Sequence, residues 1–346
     1  MTRILGLDLA RALAIYGMFA SHVGDTGLRG SDAEGWRWLA FVEGRASALF
    51  AVLMGVTVVL MARKSTAAHT RWRLVVRAGM LIALGYALEF LQTPVDVILV
   101  NLGVMMLMAA VALRWPTAVL AAESAVLAGA GWWMTMGLAD ASSWARVDGF
   151  VVVEKLWSYH YPAVAWMAYV LAGMALGHLD LRARRTQVWL TATGVALASA
   201  ATASGLALGG ASPGPGTAGE RDWASLAAHS YTPFEVASNI GVVLAALGLS
   251  LWLAPLARRV LWPVLAAGAM ALTAYVLHII VIRVWGDDVV WDPSNWIWIA
   301  LCVGITAFAA VWRRYLGAGP LERWITAWST AVANKRAPLA VRPADN

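Results

Sequence analysis

The chain has 346 residues, 60% of them hydrophobic and only 13% charged, with a formal net charge of +6. Its mean hydropathy is +0.67. That composition excludes an ordinary soluble domain and reads as a polytopic membrane protein. One cysteine, Cys302, excludes intrachain disulfides and any cysteine metal site. The positive balance is no nucleic-acid footprint, because its distribution follows the connections between hydrophobic segments.

A spanning helix needs about 20 mostly apolar residues. On that criterion about ten segments are expected, at 4–24, 41–62, 73–91, 96–113, 116–137, 161–178, 187–208, 234–254, 261–284 and 295–315. The expected fold is therefore all-α: a polytopic transmembrane helical bundle. Residues 1–318 form its membrane domain and 319–346 a basic tail, read as a surface helix followed by disorder. The first segment has no small-residue cleavage site after it and is read as a retained helix. Tryptophans near the segment ends, among them Trp36, Trp38, Trp157, Trp223, Trp285, Trp291 and Trp296, are placed for an aromatic belt.

The first segment carries Asp8, Arg11 and His22. An arginine near mid-bilayer costs about 2.5–3.5 kcal/mol even on insertion scales. His22 follows Arg11 by 11 residues, which leaves the two only ~20° apart around a helix and ~16 Å apart along it. Asp8, Ile15 and Met18 share the stripe. One helix face thus holds an acid, a guanidinium and an imidazole at three depths. The alternative is a purely structural Asp8–Arg11 ion pair.

The connections alternate in charge. Arg63, Lys64, Arg71 and Arg73 follow segment two, Arg114 follows four, and Arg182, Arg184 and Arg185 follow six. Arg258 and Arg259 follow eight, and Arg313, Arg314, Arg323, Lys335 and Arg336 follow ten. The other connections carry acids. The positive-inside rule places both termini in the cytoplasm and His22 at the outer side. The connections 138–160 and 209–232 then lie outside, the second as a flexible Gly/Pro/Ser loop.

Other polar residues gather in the expected outer half: Arg45 and Ser47 in segment two, Asn101 in four, and His160 before six. His229 lies before segment eight, and His278 and Arg283 in nine. Ionisable groups inside a bundle face an interior or a wet cavity. Histidines with arginines make a candidate site for proton transfer and an anionic ligand. Arg45 and Arg283 are near enough to an interface to snorkel, and Asn101 and Ser47 are also explained as interhelical hydrogen-bonders.

Several strings resemble known membrane enzymes. Arg11, ten residues, then His22 resembles the first-helix signature of the acyltransferase-type-3 enzymes. Leu7-Asp8-Leu-Ala-Arg11-Ala-Leu-Ala with Gly17-Met18 resembles the opening of the heparan-alpha-glucosaminide N-acetyltransferase family and its bacterial relatives. Gly44-Arg45-Ala-Ser-Ala-Leu-Phe50-Ala-Val-Leu-Met-Gly55 is similar to its second helix. Tyr161-Pro162 followed by Tyr169-Val-Leu-Ala-Gly173-Met-Ala-Leu-Gly177 is similar to a later one. Gly268-Ala-Met-Ala-Leu-Thr273-Ala-Tyr275 and Gly319-Pro320-Leu321-Glu322 resemble the end of a related, uncharacterised bacterial membrane family.

The resemblance implies a multi-pass inner or plasma membrane enzyme of the cell envelope. It moves an acyl group, typically acetyl, from cytoplasmic acyl-CoA to a hydroxyl or amine of an extracytoplasmic saccharide or lipid. It needs no metal and no nucleic acid; membrane lipids surround it, and a homodimer is compatible. His22 and Arg11 take the family's first-helix roles. The sequence departs from the human-type enzyme, whose functional histidine lies in a Lys-His-Ala-Ser-Trp-Asn-Gly loop. Here the loop reads Gly30-Ser-Asp-Ala-Glu-Gly-Trp36, which favours the type-3 arrangement.

The chemistry fits these residue types. Histidine titrates near neutrality, so it can serve as general base or carry the acyl group. Arg45 can stabilise a developing oxyanion, and Arg11 with the basic inner loops can meet the phosphates of acetyl-CoA. Asp8, Ser47, Asn101, His160, His229, His278 and Arg283 are the expected substrate-binding set. The competing class is a proton- or ion-coupled transporter or flippase using Asp8, Arg11 and His22 as a relay.

Overall fold

The computed structural model describes residues 3–27, 35–145, 161–210 and 222–337; side chains of 136–145 lie outside that description. His160, Trp157, the Gly/Pro/Ser stretch at 211–219 and the tail beyond 337 fall outside the described residues. The described chain is helical, with no strand. In order the helices are α1 Leu5–Val23, α2 Arg45–Ala62, α3 Ala67–Glu89, α4 Leu99–Val111 and α5 Thr117–Ala145. Then follow α6 Ala163–Gly177, α7 Arg184–Ala207, α8 Pro233–Leu256, α9 Trp262–Ala269 and α10 Ala271–Trp285. The chain ends with α11 Asp288–Trp291, α12 Asn295–Tyr315 and α13 Pro320–Arg336.

A helix stands in each of the ten expected segments. Four are long and apolar enough to cross a membrane by length and composition, the first of them, which contains α2, counted as the run Arg37–Ala62. A fifth is reached if α9 and α10 form one span, and this pair departs from the sequence expectation. The axis bends by 84° at Met270 between the two helices. Two contacts from elsewhere explain the break. Gly268 presses against α1 so closely that a Cβ would lie 1.7 Å from the Asp8 carbonyl oxygen. The carboxylate of Glu322, on α13, caps the freed amides of α10 at Leu272 N (2.8 Å) and Thr273 N (3.1 Å). A carboxylate at a helix N-terminus satisfies orphan donors and complements the helix dipole.

The periphery shows the solvent that the fold requires. In α12 the buried positions are Asn295, Leu301, Ile305 and Ala309, a narrow stripe along one face. Its remaining surface is apolar yet exposed, as at Trp296, Val303, Phe308 and Val311. Apolar side chains left uncovered on that scale belong in lipid. Trp36, Trp38 and Trp298 form an aromatic cluster with ring centroids 6.1–6.2 Å apart, and Trp223, Trp285 and Trp291 are exposed near helix ends.

Inside, small residues let backbones approach, which is how helices associate without a hydrophobic drive. At the crossing of α2 and α6, a Cβ on Gly55 would meet the Val170 carbonyl oxygen at 2.1 Å. One on Gly173 would meet the Val52 carbonyl oxygen at 2.0 Å. The first helix is central, packing against α2, α8, α9, α10 and α12. That position is what allows its polar stripe to meet residues from the whole chain. The expected tail helix exists as α13 but docks on the bundle: Arg77 of α3 donates to Ser329 Oγ (3.2 Å) and Thr326 Oγ1 (3.0 Å).

Candidate active site

The stripe on α1 holds two separate clusters. At its start, Asp8 is buried and accepts from Arg11 Nη1 at 3.1 Å. It also accepts two bonds from Arg3, one from Nη2 at 2.9 Å and one from Nε. Arg11 reaches across to α2 as well, where Nη2 donates to Thr57 Oγ1 at 2.9 Å. Thr57 passes its own proton to the Leu53 carbonyl at 2.7 Å, so its hydroxyl is oriented to receive the guanidinium.

Arg11 lines two cavities. One, of about 420 Å³, is lined by Arg3, Asp8, Arg11, Arg63, Lys64, Asp180 and Arg182, with Ile4, Leu7, Leu60 and leucines 179 and 181. Its cations outnumber its carboxylates, and they come from α1, from Arg3 just before it and from two of the positive connections. The other, of about 300 Å³, is mainly apolar. Its polar lining includes Arg11, Thr57, Arg77, Tyr275, Glu322 and Thr326, and α13 closes one side of it. Pockets of this size, apolar with a few placed polar groups, suit small-molecule substrates.

The far end of the stripe holds the second cluster. His22 Nδ1 lies 3.0 Å from His278 Nε2 of α10, with the rings 13° from parallel. His278 is fully buried, packed against Phe19 at 4.8 Å and Tyr275 at 4.9 Å between ring centroids, and its Nδ1 bonds the Tyr275 carbonyl. Tyr275 lines the apolar cavity, and its hydroxyl accepts from Ile98 N at 3.3 Å. Tyr275 therefore touches both the cavity and the histidine pair. Beyond His22 the chain is fastened to the start of α12. Ser294 N donates to the Val23 carbonyl (2.9 Å), and Asn295 exchanges two 3.0 Å bonds with Asp25.

The other expected residues divide between neighbouring networks. Asn101 Nδ2 donates to the Tyr161 carbonyl at 2.6 Å, and Ser47 hydrogen-bonds the same tyrosine. His229 is not gathered with His22. It contacts Tyr231 (Nδ1 to OH, 3.3 Å) and the rings of Tyr161 and Trp166. Arg45 Nη1 donates to the Phe41 carbonyl (2.8 Å), and the side chain lines a space of about 10 Å³ with Glu43, Glu235 and Asn239. A space that small holds about one water. Arg283 is exposed in the last turn of α10, where a cation complements the helix end. It faces outward because the buried positions of α10 at Tyr275, Val276, His278, Ile279 and Ile282 take the inner face. Among the described residues, no group of three or more His, Cys, Asp or Glu gathers as a metal site.

Three residues that join these networks, Thr57, Arg3 and Glu235, are not among the site residues expected from the sequence. Thr57 looks like one β-branched residue in an apolar helix. Arg3 precedes the first helix. Glu235 is buried and satisfied by Tyr231 N (3.1 Å) and Asn239 Nδ2 (2.6 Å). Its signal is present in the sequence: Thr232-Pro233-Phe234-Glu235 is a helix start with Thr232 accepting from Glu235 N at 3.0 Å, and Asn239 follows one turn later.

Comparison with known proteins places the chain. Residues 3–208, more than half of it, match the heparan-alpha-glucosaminide N-acetyltransferase catalytic family. The chain belongs to that family. It is thus a member of a membrane acetyltransferase family, and its multi-pass helical character agrees. Residues 184–331 match a second family, described only as a protein of unknown function. A curated relative, an uncharacterized 39.9 kDa protein in the amylase 3' region of Bacillus acidopullulyticus, is 33% identical over 95 residues. That match covers 26% of this chain and 27% of the relative. No solved structure matches. Within this acetyltransferase-family chain, His22 lies in the part matched to the catalytic family, and His278 in the part matched to the uncharacterised one.

Proposed function

We propose that this family member transfers an acetyl group from cytoplasmic acetyl-CoA to a hydroxyl or amine of a saccharide or lipid on the outer side of the inner or plasma membrane. One observation carries the reading: Arg11 lines both the cationic cavity and the apolar cavity, and Tyr275 links the latter to the His22–His278 pair. A cationic entrance suits the phosphates of CoA. An apolar cavity suits its pantetheine arm, and the histidine pair packed behind Tyr275 suits proton transfer.

In this reading ten helical segments cross the membrane, with both termini and α13 on the cytoplasmic side. Arg3, Arg63, Lys64 and Arg182 hold the nucleotide end. Arg11, kept in place by Asp8 and Thr57, lines both cavities. His22 takes the acceptor's proton and returns it to the departing sulfur. Asn101, Ser47, His229 and Arg45 belong to the adjoining acceptor side.

The test separates the two ends of the donor. An Arg63→Glu, Arg182→Glu double variant is assayed with acetyl-CoA and with S-acetyl-pantetheine, which lacks the nucleotide. The expected result is a KM raised about tenfold or more for acetyl-CoA, the scale of one or two lost charged contacts. The KM for S-acetyl-pantetheine stays unchanged. Equal effects on both donors overturn the assignment of the cationic cavity.

A further inference from the structure

Histidine has two ring nitrogens, and which one carries the proton decides which can act as a base. In this protein the neighbours of the pair decide it. The Tyr275 carbonyl has only lone pairs, so the His278 Nδ1 that bonds it must be the donor. His278 is fully excluded from solvent, and among the described residues no carboxylate contacts it. A buried charge without a partner is costly. In the neutral ring, with its one proton on Nδ1, Nε2 is an acceptor. His22 Nδ1, 3.0 Å away, is then the donor to it. The proton of neutral His22 is thereby spent on Nδ1, and Nε2 of His22 carries the lone pair.

We propose that His278 is a positioning residue for acyl transfer: it holds His22 in the tautomer whose Nε2 is the base, anchored in turn by the Tyr275 main chain. This rests on the acyl-transfer reading of His22. The balance of the step is simple. The acceptor O–H gives its proton to His22 Nε2 as its oxygen bonds the thioester carbon. The carbon–sulfur bond then breaks, and the sulfur leaves with its electron pair and takes the proton from Nε2. The products are the ester and the free CoA thiol, and His22 is restored. While His22 is doubly protonated, its Nδ1–H still points at His278 Nε2, which steadies the transient charge. His278 exchanges no proton. Two consequences follow. The region matched to a family of unknown function completes the site of the catalytic-family region. And His278, expected from sequence to bind substrate, acts instead through His22.

The experiment compares His278→Gln with His278→Met in the full chain, alongside His22→Ala. The two substituents have similar length, but only glutamine offers an oxygen where Nε2 stood. Acetyl-CoA-dependent transfer is measured, and the tautomer of His22 is read from the nitrogen shifts of 15N-histidine-labelled protein. Expected is a loss of about 10²-fold or more in His278→Met, as when a histidine base loses its orienting acceptor. Its His22 signals move away from the Nδ1–H form. His278→Gln keeps that form and recovers most of the activity. Loss in His22→Ala with normal turnover and unchanged His22 signals in His278→Met overturns this proposal alone. Normal turnover in His22→Ala overturns the acyl-transfer reading and this proposal with it.

Discussion

The guanidinium of Arg11 is shared between two helices, bonded to Asp8 on its own and, at 2.9 Å, to Thr57 on α2. This makes it more than the neutraliser of one carboxylate. Arg11→Lys keeps the charge but cannot present two planar donor pairs. Losing one hydrogen bond to a charged group is worth about 1.5–3 kcal/mol, so turnover is expected to fall roughly 10- to 100-fold while the protein still accumulates in the membrane. Asp8→Leu with Arg11→Leu removes the pair together, which a merely structural ion pair tolerates. Inactivity of a folded double variant, measured as acetyl-CoA-dependent labelling, is the expected result. Full activity would assign Arg11 to structure.

Glu322 ties α13 to the break in the α9–α10 pair through Leu272 N, Thr273 N and, at 2.6 Å, Thr273 Oγ1. Glu322→Ala leaves these donors unpaired beside the apolar cavity that Glu322 also lines. The expected cost is about 1–3 kcal/mol in detergent unfolding, with a raised KM for acetyl-CoA. An unchanged melting point and KM would show that the cap is dispensable.

Gly173 and Gly55 set the crossing of α2 over α6. Gly173→Ala puts a methyl 2.0 Å from the Val52 carbonyl oxygen, so the helices must separate. Forced overpacking costs about 1–3 kcal/mol. Alanine at Gly79, where a Cβ meets nothing within 4 Å, is the control and should leave the unfolding curve unchanged.

The proposed topology rests on the positive connections, some of whose charges line the cationic cavity. A reporter after Asn346 is expected to behave as cytoplasmic, and one inserted near Gly214 as external. The opposite pattern would place the cations proposed to hold CoA on the wrong side.

Much of this was legible in the chain because helical periodicity is local. Arg11 and His22 share a face by spacing alone, and Asp8 and Arg11 do pair. The unread parts depend on residues far apart in sequence. The His22–His278 bond joins positions 256 apart, and Arg11–Thr57 positions 46 apart. The break at Met270 lies in an unbroken apolar run. It is made by α1 pressing on Gly268 and by Glu322, about fifty residues on, not by a proline or by its own propensities. Arg283 shows the converse: a cation in an apolar helix is an ambiguous signal until the helix's buried face is known. His229 was expected beside His22 because both mark the same end of the bundle. Its tyrosine and tryptophan neighbours place it in a separate network.

In the proposed reading an acyl group passes through the site of His22 from one face of the membrane to the other. Inverted membrane vesicles supplied with radiolabelled acetyl-CoA on the exposed cytoplasmic face test it directly. With the wild-type chain, label should appear on impermeant material inside the vesicles, and free CoA thiol should be released outside. With His22→Ala, both should fall by about 10²–10⁴-fold, the usual loss for a general base. Equal labelling with and without the His22 imidazole, or wild-type labelling no higher than vesicles lacking the protein, would contradict the account.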